Sequence, residues 1–565
     1  MMLATFSGLI FKYIFMYLYL FLTGKSTILL IDYLRKKKLK EEYLLYTKIE
    51  ILYPLIGIIF IGNLLFLLNT FLPLENVIVS IVLILYIFPA CIDIFKNKNL
   101  SSRIKVINIY NIFCYLIIPS ILVVSTFDIN FNYDAGYYHL LHQNWLRSSN
   151  LIVGMVNIFW PLGMSSIYEY ISAVLWFDKS FVLLHFLNLY FIHFFYLFIS
   201  SNLFNLKNKY LFNTSLFILI FSILDNFGKG GGRNGFLYIQ GVTKQDVTVG
   251  ILFFYLAIVM ILKIKEKNIK NSELQLISLI LLFVYQIKVS GVIIFYLFII
   301  LLFILIQERR NSILEIFKLI FPTIVLGFLW VIKSFYTTGC LIYPVNITCY
   351  EGFDWYIKNS TISFEAITKE ASLAFDNSIS FMEWARTSGS FEYRNQVFTN
   401  FIFSFAVLVL AKLILFKKEK NLFTFSLIAI SFLLFSYIYL IFFGPIPRYA
   451  VGLCLVTIGF LGIFSTEIKL KISESSKYLL VFFSVFLLVR MTAYSAFVDN
   501  NEFRLFDPRD DYEINTVIGY DRYSENWVAP LDKDQCWSNI ECTPSKVEIK
   551  FLEEGIFKVA YRNTE

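Results

Sequence analysis

The sequence predicts an all-α polytopic integral membrane protein with about 14 transmembrane helices. Three observations predict it. Of 565 residues, 58% are hydrophobic and the mean hydropathy is +0.67, whereas soluble globular chains sit near 45–50% apolar, roughly. Apolar runs recur at lengths of about 18 residues or more, enough to cross a bilayer core as helix. Lys and Arg recur between every second pair of runs, as the positive-inside rule requires. The sustained runs do not alternate, which argues against an outer-membrane barrel.

In order, the runs fall at 5–22, 51–72, 77–95, 106–127, 180–200, 211–226, 247–264, 274–287, 292–306, 314–335, 397–416, 422–443, 449–465 and 478–496. The first has no small-residue cleavage pattern and reads as a retained helix. Segment 25–48, with Arg35, Lys36, Lys37, Lys38 and Lys40, is the strongest basic cluster and is placed in the cytoplasm. Inner links at 96–105, Lys207/Lys209, 263–270, Arg309/Arg310, 417–420 and 469–477 keep the alternation to the end. Two places stay open. Gln286, Lys288 and Ser290 mark either a reversal or one interrupted helix, and 159–176 either spans or lies along the surface.

The resulting organisation is 1–127, N-terminal helices; 128–179, a large first outer loop; 180–335, helices; 336–396, a second outer loop; 397–496, helices; and 497–565, a small acidic extracytoplasmic segment. The chain carries a formal net charge of +8, but from Asp499 onward 15 Asp/Glu face 8 Lys/Arg. The basic excess sits in short loops and needs no nucleic-acid partner.

Cys91, Cys114 and Cys454 lie in apolar runs and read as small core residues. Cys340, Cys349, Cys536 and Cys542 lie in outer segments, where four cysteines allow three pairings. Cys340–Cys349 and Cys536–Cys542 close the shortest loops. Zinc is disfavoured, because the spacings are wrong and no His lies near either pair.

Chemistry concentrates in 131–166, FNYDAGYYHLLHQNWLRSSNLIVGMVNIFWPLGMSS. Ionisable groups beside a membrane are costly unless they face water or a partner, so they mark a site. Asp134 is either a general base or a helix N-cap. Tyr138 and His139 follow it, an aromatic face and a group that tunes a carboxylate. His139 and His142 share a helical face but lack further metal ligands, and no metal is expected. Asp246 opens a helix after the glycine-rich 228–232, and is again either cap or second carboxylate. That glycine run has no phosphate-loop ending. Arg448 in PIPRYAVG either binds phosphate or snorkels. Lys244, Arg233, Arg386 and Arg394 are weaker candidates of the same kind. His185 and His193 lie in an apolar run and read as core histidines.

An Asp in the first outer loop, a following surface segment and many spans resemble the GT-C glycosyltransferase superfamily. That resemblance implies a polyprenyl-phosphate sugar as donor, no other cofactor, and a catalytic carboxylate at Asp134. The chain is also similar to a family of bacterial multi-pass proteins found with surface-polysaccharide genes. Its motifs are met at Asp134, Tyr138, His139, Trp145, Gly154, Asn157, Leu162, Gly163, Ser165 and Ser166, with one residue instead of two before the Ser pair. The family's basic or polar residue before Leu-Gly is missing in VNIFWPLG. Similar pieces occur at 338–344, 447–452, 534–537 and 542–544.

The expected function is transfer of a sugar from a lipid-linked donor to a cell-surface glycan or lipid-linked acceptor. It is placed on the extracytoplasmic face of a bacterial inner (plasma) membrane. Asp134 and His139 are the catalytic candidates, and Tyr138, Trp145, Asn157, Asp246 and Arg448 the substrate-binding ones. A lipid-linked glycan flippase, which would need ionisable groups deep in its spans, and an O-antigen-type polymerase are the alternatives. A fourth possibility is an assembly protein that binds a partner through its acidic tail.

Overall fold

A computed structural model describes residues 2–35, 42–96, 108–128, 131–176, 181–205, 208–226, 237–308, 312–375, 378–389, 420–465, 472–497, 519–531 and 534–562. It is mostly helical. Among the described residues, nine helices are long and apolar enough to cross a membrane, and Asn271–Ile287 and Arg448–Phe464 are shorter apolar helices. Lys209–Asn226 and Glu474–Phe497 also form helices where the sequence places runs. The expected run 397–416 lies outside the described residues, as do Arg233, Arg394 and the glycines 228–232.

The centre of the bundle is the helix Asp246–Glu266, buried without a break from Asp246 to Ile264. A helix apolar on every side must be enclosed by others. Val182–Phe204 is nearly as enclosed. The Val451–Phe464 helix packs on both Lys209–Asn226 and Asp246–Glu266.

The first helix runs Met2–Arg35, well past the expected end at 22. Lys25 does not stop it, because its ammonium pairs with Asp93 at 2.8 Å. Glycines also hold this stretch against the Ile49–Asn69 helix. A Cβ on Gly24 would fall 1.7 Å from the Tyr53 carbonyl oxygen, and one on Gly57 2.3 Å from that of Leu20. Small residues let membrane helices approach backbone to backbone.

Proline explains two irregular spans. The 77–95 run divides into Val77–Leu85 and Phe88–Lys96, with Pro89 in the second helix's first turn, where its missing N–H is harmless. Pro119 cannot donate back along the ladder, and a π turn, Phe113–Ile117, precedes it.

Lys288 sits at a reversal. The chain leaves Asn271–Ile287 through an extended Lys288, passes a 3-10 turn at Val289–Ile294 and continues as Phe295–Gln307. Glu308, at the far end, returns to pair with Lys267 at 2.5 Å, next to where the first helix of the pair began. The 159–176 stretch neither spans nor lies exposed. It forms a 3-10 turn, Trp160–Gly163, and a wholly buried helix, Ile167–Ala173, packed on Ile49–Asn69.

The tail folds over the first loop as a small β module. Phe557–Arg562 pairs antiparallel with Ile549–Glu554 and parallel with Ile152–Val153. Disulfides join Cys340 to Cys349 and Cys536 to Cys542.

Gly57→Ala should destabilise the detergent-solubilised protein by about 1–3 kcal/mol through overpacking. Gly8→Ala, where a Cβ meets nothing within 4 Å, should leave it unchanged. Thermal unfolding of both variants checks this.

Candidate active site

A π turn, Ala135–His139, runs into the helix Leu140–Ser148. Asp134 opens the turn and His139 closes it. π turns are frequent at functional sites because the extra residue re-aims the side chains that follow. Asp134 makes no capping hydrogen bond. Its Oδ2 instead accepts from the Lys244 ammonium. Burial pushes this carboxyl up, but Lys244, His139 and Arg448 outweigh it and hold it below its usual value.

Lys244 comes from the loop before the central helix. In that loop Gln240 accepts from the Val247 N–H at 2.9 Å, serving the first turn of the helix. This leaves the buried Asp246 carboxylate to other partners. Its Oδ1 accepts from Lys288, and Gln240 Nε2 lies 3.4 Å from Oδ2. Arg448 Nε stands 3.7 Å from the same oxygen. Both cations also face Tyr449, Lys288 Nζ at 3.8 Å and the Arg448 guanidinium at 5.3 Å from its ring centre.

Three cations therefore meet two carboxylates. Arg448 is the surplus, since its Nε is buried without a hydrogen bond. Asp246, Lys288, Arg448 and Tyr449 form the ionic end of a cleft of about 90 Å³, whose other walls include Phe253, Ile293, Leu440 and Phe443. A charged end on an apolar cleft suits an anion carrying a hydrocarbon chain.

Beside these pairs lies a second polar group. His139 Nδ1 is 2.5 Å from Glu169 Oε1, Gln143 Nε2 donates to Oε2 at 2.6 Å, and Gln245 Nε2 donates to Oε1 at 2.9 Å. Trp176 Nε1 in turn donates to Gln143 at 2.7 Å. A buried carboxylate survives only with partners of this kind. An Nδ1–H donated to Glu169 leaves Nε2 as the basic ring position of His139. The Tyr138 ring lies 4.1 Å from the His139 ring. Burial drives its phenol well above its usual value, and Asp134, Glu169, Tyr449 and Asp246 push the same way. Tyr138 thus stands within the field of both carboxylate groups.

Asp134, Tyr138, His139, Asp246 and Arg448 are brought together. Trp145 and Asn157 are not part of this ion cluster. Trp145 packs on Phe551. Asn157 donates to the Trp355 and Ala560 carbonyls, both at 2.8 Å, and so fastens the tail to the loops. His193 is bonded at both nitrogens, to Tyr13 and to the Cys114 carbonyl. His185 is bonded to Ser125.

Sequence reasoning missed Glu169, because it falls in the stretch left open between span and surface helix. Lys288 was visible only as a topological irregularity. Its signal was a lone lysine between two apolar runs, a costly position without a carboxylate partner.

Lys288→Met should cost about 3 kcal/mol, since it strips a buried carboxylate of its nearest cation. The double variant Asp246→Asn/Lys288→Met should regain most of that loss. Thermal unfolding in detergent reads both.

The chain matches, over residues 7–455, a family described as a domain of unknown function, DUF8201. No curated protein and no solved structure gives a match. The matched residues include both ion pairs and Arg448, and extend over most of the chain. The protein belongs to the DUF8201 family.

Proposed function

We propose that the protein is a GT-C-like glycosyltransferase of a bacterial inner membrane. It crosses the bilayer about fourteen times and acts at the extracytoplasmic end. The donor is a polyprenyl-phosphate sugar and the acceptor a hydroxyl of a surface glycan or lipid-linked glycan. The observation that carries this reading is Lys288 and Arg448 at the ionic end of an apolar cleft, beside Asp134 and Asp246.

In the proposed step, the acceptor oxygen attacks the anomeric carbon as the bond from that carbon to the phosphate oxygen breaks. The electron pair leaves with the lipid phosphate, and the acceptor proton passes to Asp134. Arg448 and Lys288 stabilise the phosphate charge; such electrostatic help is commonly the largest catalytic contribution. Asp246 holds both cations in place. Lys244 keeps Asp134 ionised, and Glu169 fixes His139 beside it. The apolar walls take the first isoprene units.

Asp134→Asn, expressed at normal level in a strain lacking the native gene, should lose the surface glycan and accumulate lipid-linked precursor. General-base loss of this kind costs about 10²–10⁴-fold in rate. Normal glycan in that strain would refute the assignment.

The pH dependence has a definite sign. Lys244 lowers the Asp134 pKa, so activity should persist below the ordinary carboxylate range and fall only as Asp134 protonates. Lys244→Met removes that stabilisation and should move the acid limb of the pH–rate profile upward.

A further inference from the structure

The loop closed by the Cys340–Cys349 disulfide has its polarity turned outside in. Leu341, Val345 and Ile347, with Tyr350 just beyond the loop, are exposed, Ile347 to 91%. Asn346 and Thr348, which water would draw outward, are half-buried. The loop also satisfies much of its own backbone. The Leu341 N–H donates to the Thr348 carbonyl at 3.1 Å, Val345 to Ile342 and Thr348 to Val345 both at 2.9 Å, and Cys349 to Asn346 at 3.0 Å. Thr348 Oγ1 accepts from the Ile342 N–H at 3.1 Å and lies 2.8 Å from the Val345 carbonyl oxygen. The Asn346 N–H donates to Glu365 Oε2 at 3.0 Å. Backbone groups paired within and apolar side chains turned outward are what entry into lipid requires.

The loop follows directly on the Ile313–Thr338 helix, which is long and apolar enough to cross a membrane and is little buried. Leu314, Phe317, Phe321, Ile324 and Phe328 recur along it every three or four residues, and all are exposed. An exposed apolar row on a spanning helix has lipid as its solvent. Tyr336, in the last turn, is exposed as well, and tyrosine is enriched where a helix leaves the hydrocarbon. The apolar face of the loop therefore begins directly after the lipid-facing row ends. The opposite side of the loop is fixed to protein. Tyr343 is buried, and its ring stands so close to Gly163 that a Cβ there would fall 2.7 Å from it.

We propose that the Cys340–Cys349 loop is a membrane-interface anchor, with Leu341, Val345, Ile347 and Tyr350 set into the lipid at the level of the head groups. Exposed apolar patches of this kind mark contact surfaces, and continuity with the lipid-facing helix makes the partner the bilayer itself. The disulfide keeps the apolar residues on one small, closed loop. Through Tyr343 and Gly163 the anchor ties the first loop to the bilayer surface. None of these residues lines the cleft of Asp246 and Arg448, and the anchor does not depend on the proposed activity.

The test uses the full chain in phosphatidylethanolamine–phosphatidylglycerol vesicles, with a nitroxide attached at Ile347→Cys. Cys91→Ser removes the one free cysteine that is partly exposed. Collisions of the label with oxygen, which partitions into lipid, should exceed those with a water-soluble nickel chelate several-fold. A label at Glu525→Cys, exposed on the tail, should show the reverse. A nickel-dominated signal at 347, or the same ratio at both positions, would place the loop in water and overturn the proposal. A label at 347 shielded from both reagents would mean that protein, such as a second copy of the chain, covers the loop, and would overturn it equally. Should Ile347→Cys fail to fold, Ile347→Trp in vesicles of brominated phospholipid replaces it. The fluorescence gained over the wild type should be quenched, and an unquenched gain would overturn the proposal.

Discussion

The Asp246–Lys288 pair is the contact on which the rest of the site depends. Asp246 begins a helix buried on every side and is itself only 6% exposed, so water alone cannot solvate its carboxylate. Charge in such a place persists only when paired and hydrogen-bonded. Lys288 meets that need from a break between two helices, which forces the reversal between Asn271–Ile287 and Phe295–Gln307. Arg448 is drawn to the same carboxylate from a third part of the chain. One buried acid thereby gathers three segments and leaves a positive surplus at the head of an apolar cleft.

The first loop is held over that cleft by the tail. The Trp537 N–H donates to the Gly136 carbonyl at 2.8 Å, and Asn144 donates to the Ser538 carbonyl at 2.7 Å. Thr543 donates to the Ile158 carbonyl at 2.9 Å, and Gln535 to that of Tyr133 at 2.9 Å. Two of these bonds, at Tyr133 and Gly136, fall on residues flanking Asp134, and the other two hold Asn144 and Ile158 farther along the same loop. The acidic tail is therefore part of the scaffold that positions the π turn. Gln535 and Tyr133 lie 402 residues apart in the chain.

Much of the helical plan was legible because lipid imposes a length and a polarity on each crossing. Where the sequence misled, backbone chemistry was responsible. Gly24 lets the first helix continue beside Tyr53, and Pro89 and Pro119 sit where two spans depart from regular α-helix. At the site, Asp134, His139, Asp246 and Arg448 stood out as charged groups in apolar surroundings. Their partners did not. Lys244 stood only among four weaker phosphate candidates, not as a partner of Asp134, and Glu169 sat in a stretch with no clear period. Pairing across 30 to 110 residues leaves no local pattern to read. Asn157 shows the converse: a polar residue in the right motif whose amide is engaged by two carbonyls.

The central claim is that Lys288 and Arg448 hold a lipid phosphate at the head of the cleft. Native mass spectrometry of the full chain, purified in mild detergent with added polyprenyl phosphate, tests it most directly. One lipid phosphate should remain bound to the wild type and be lost from Arg448→Leu, while Arg386→Leu, altered at an exposed position of the helix Phe381–Gly389, keeps it. Equal retention by wild type and Arg448→Leu, or no retention by either, would contradict the claim.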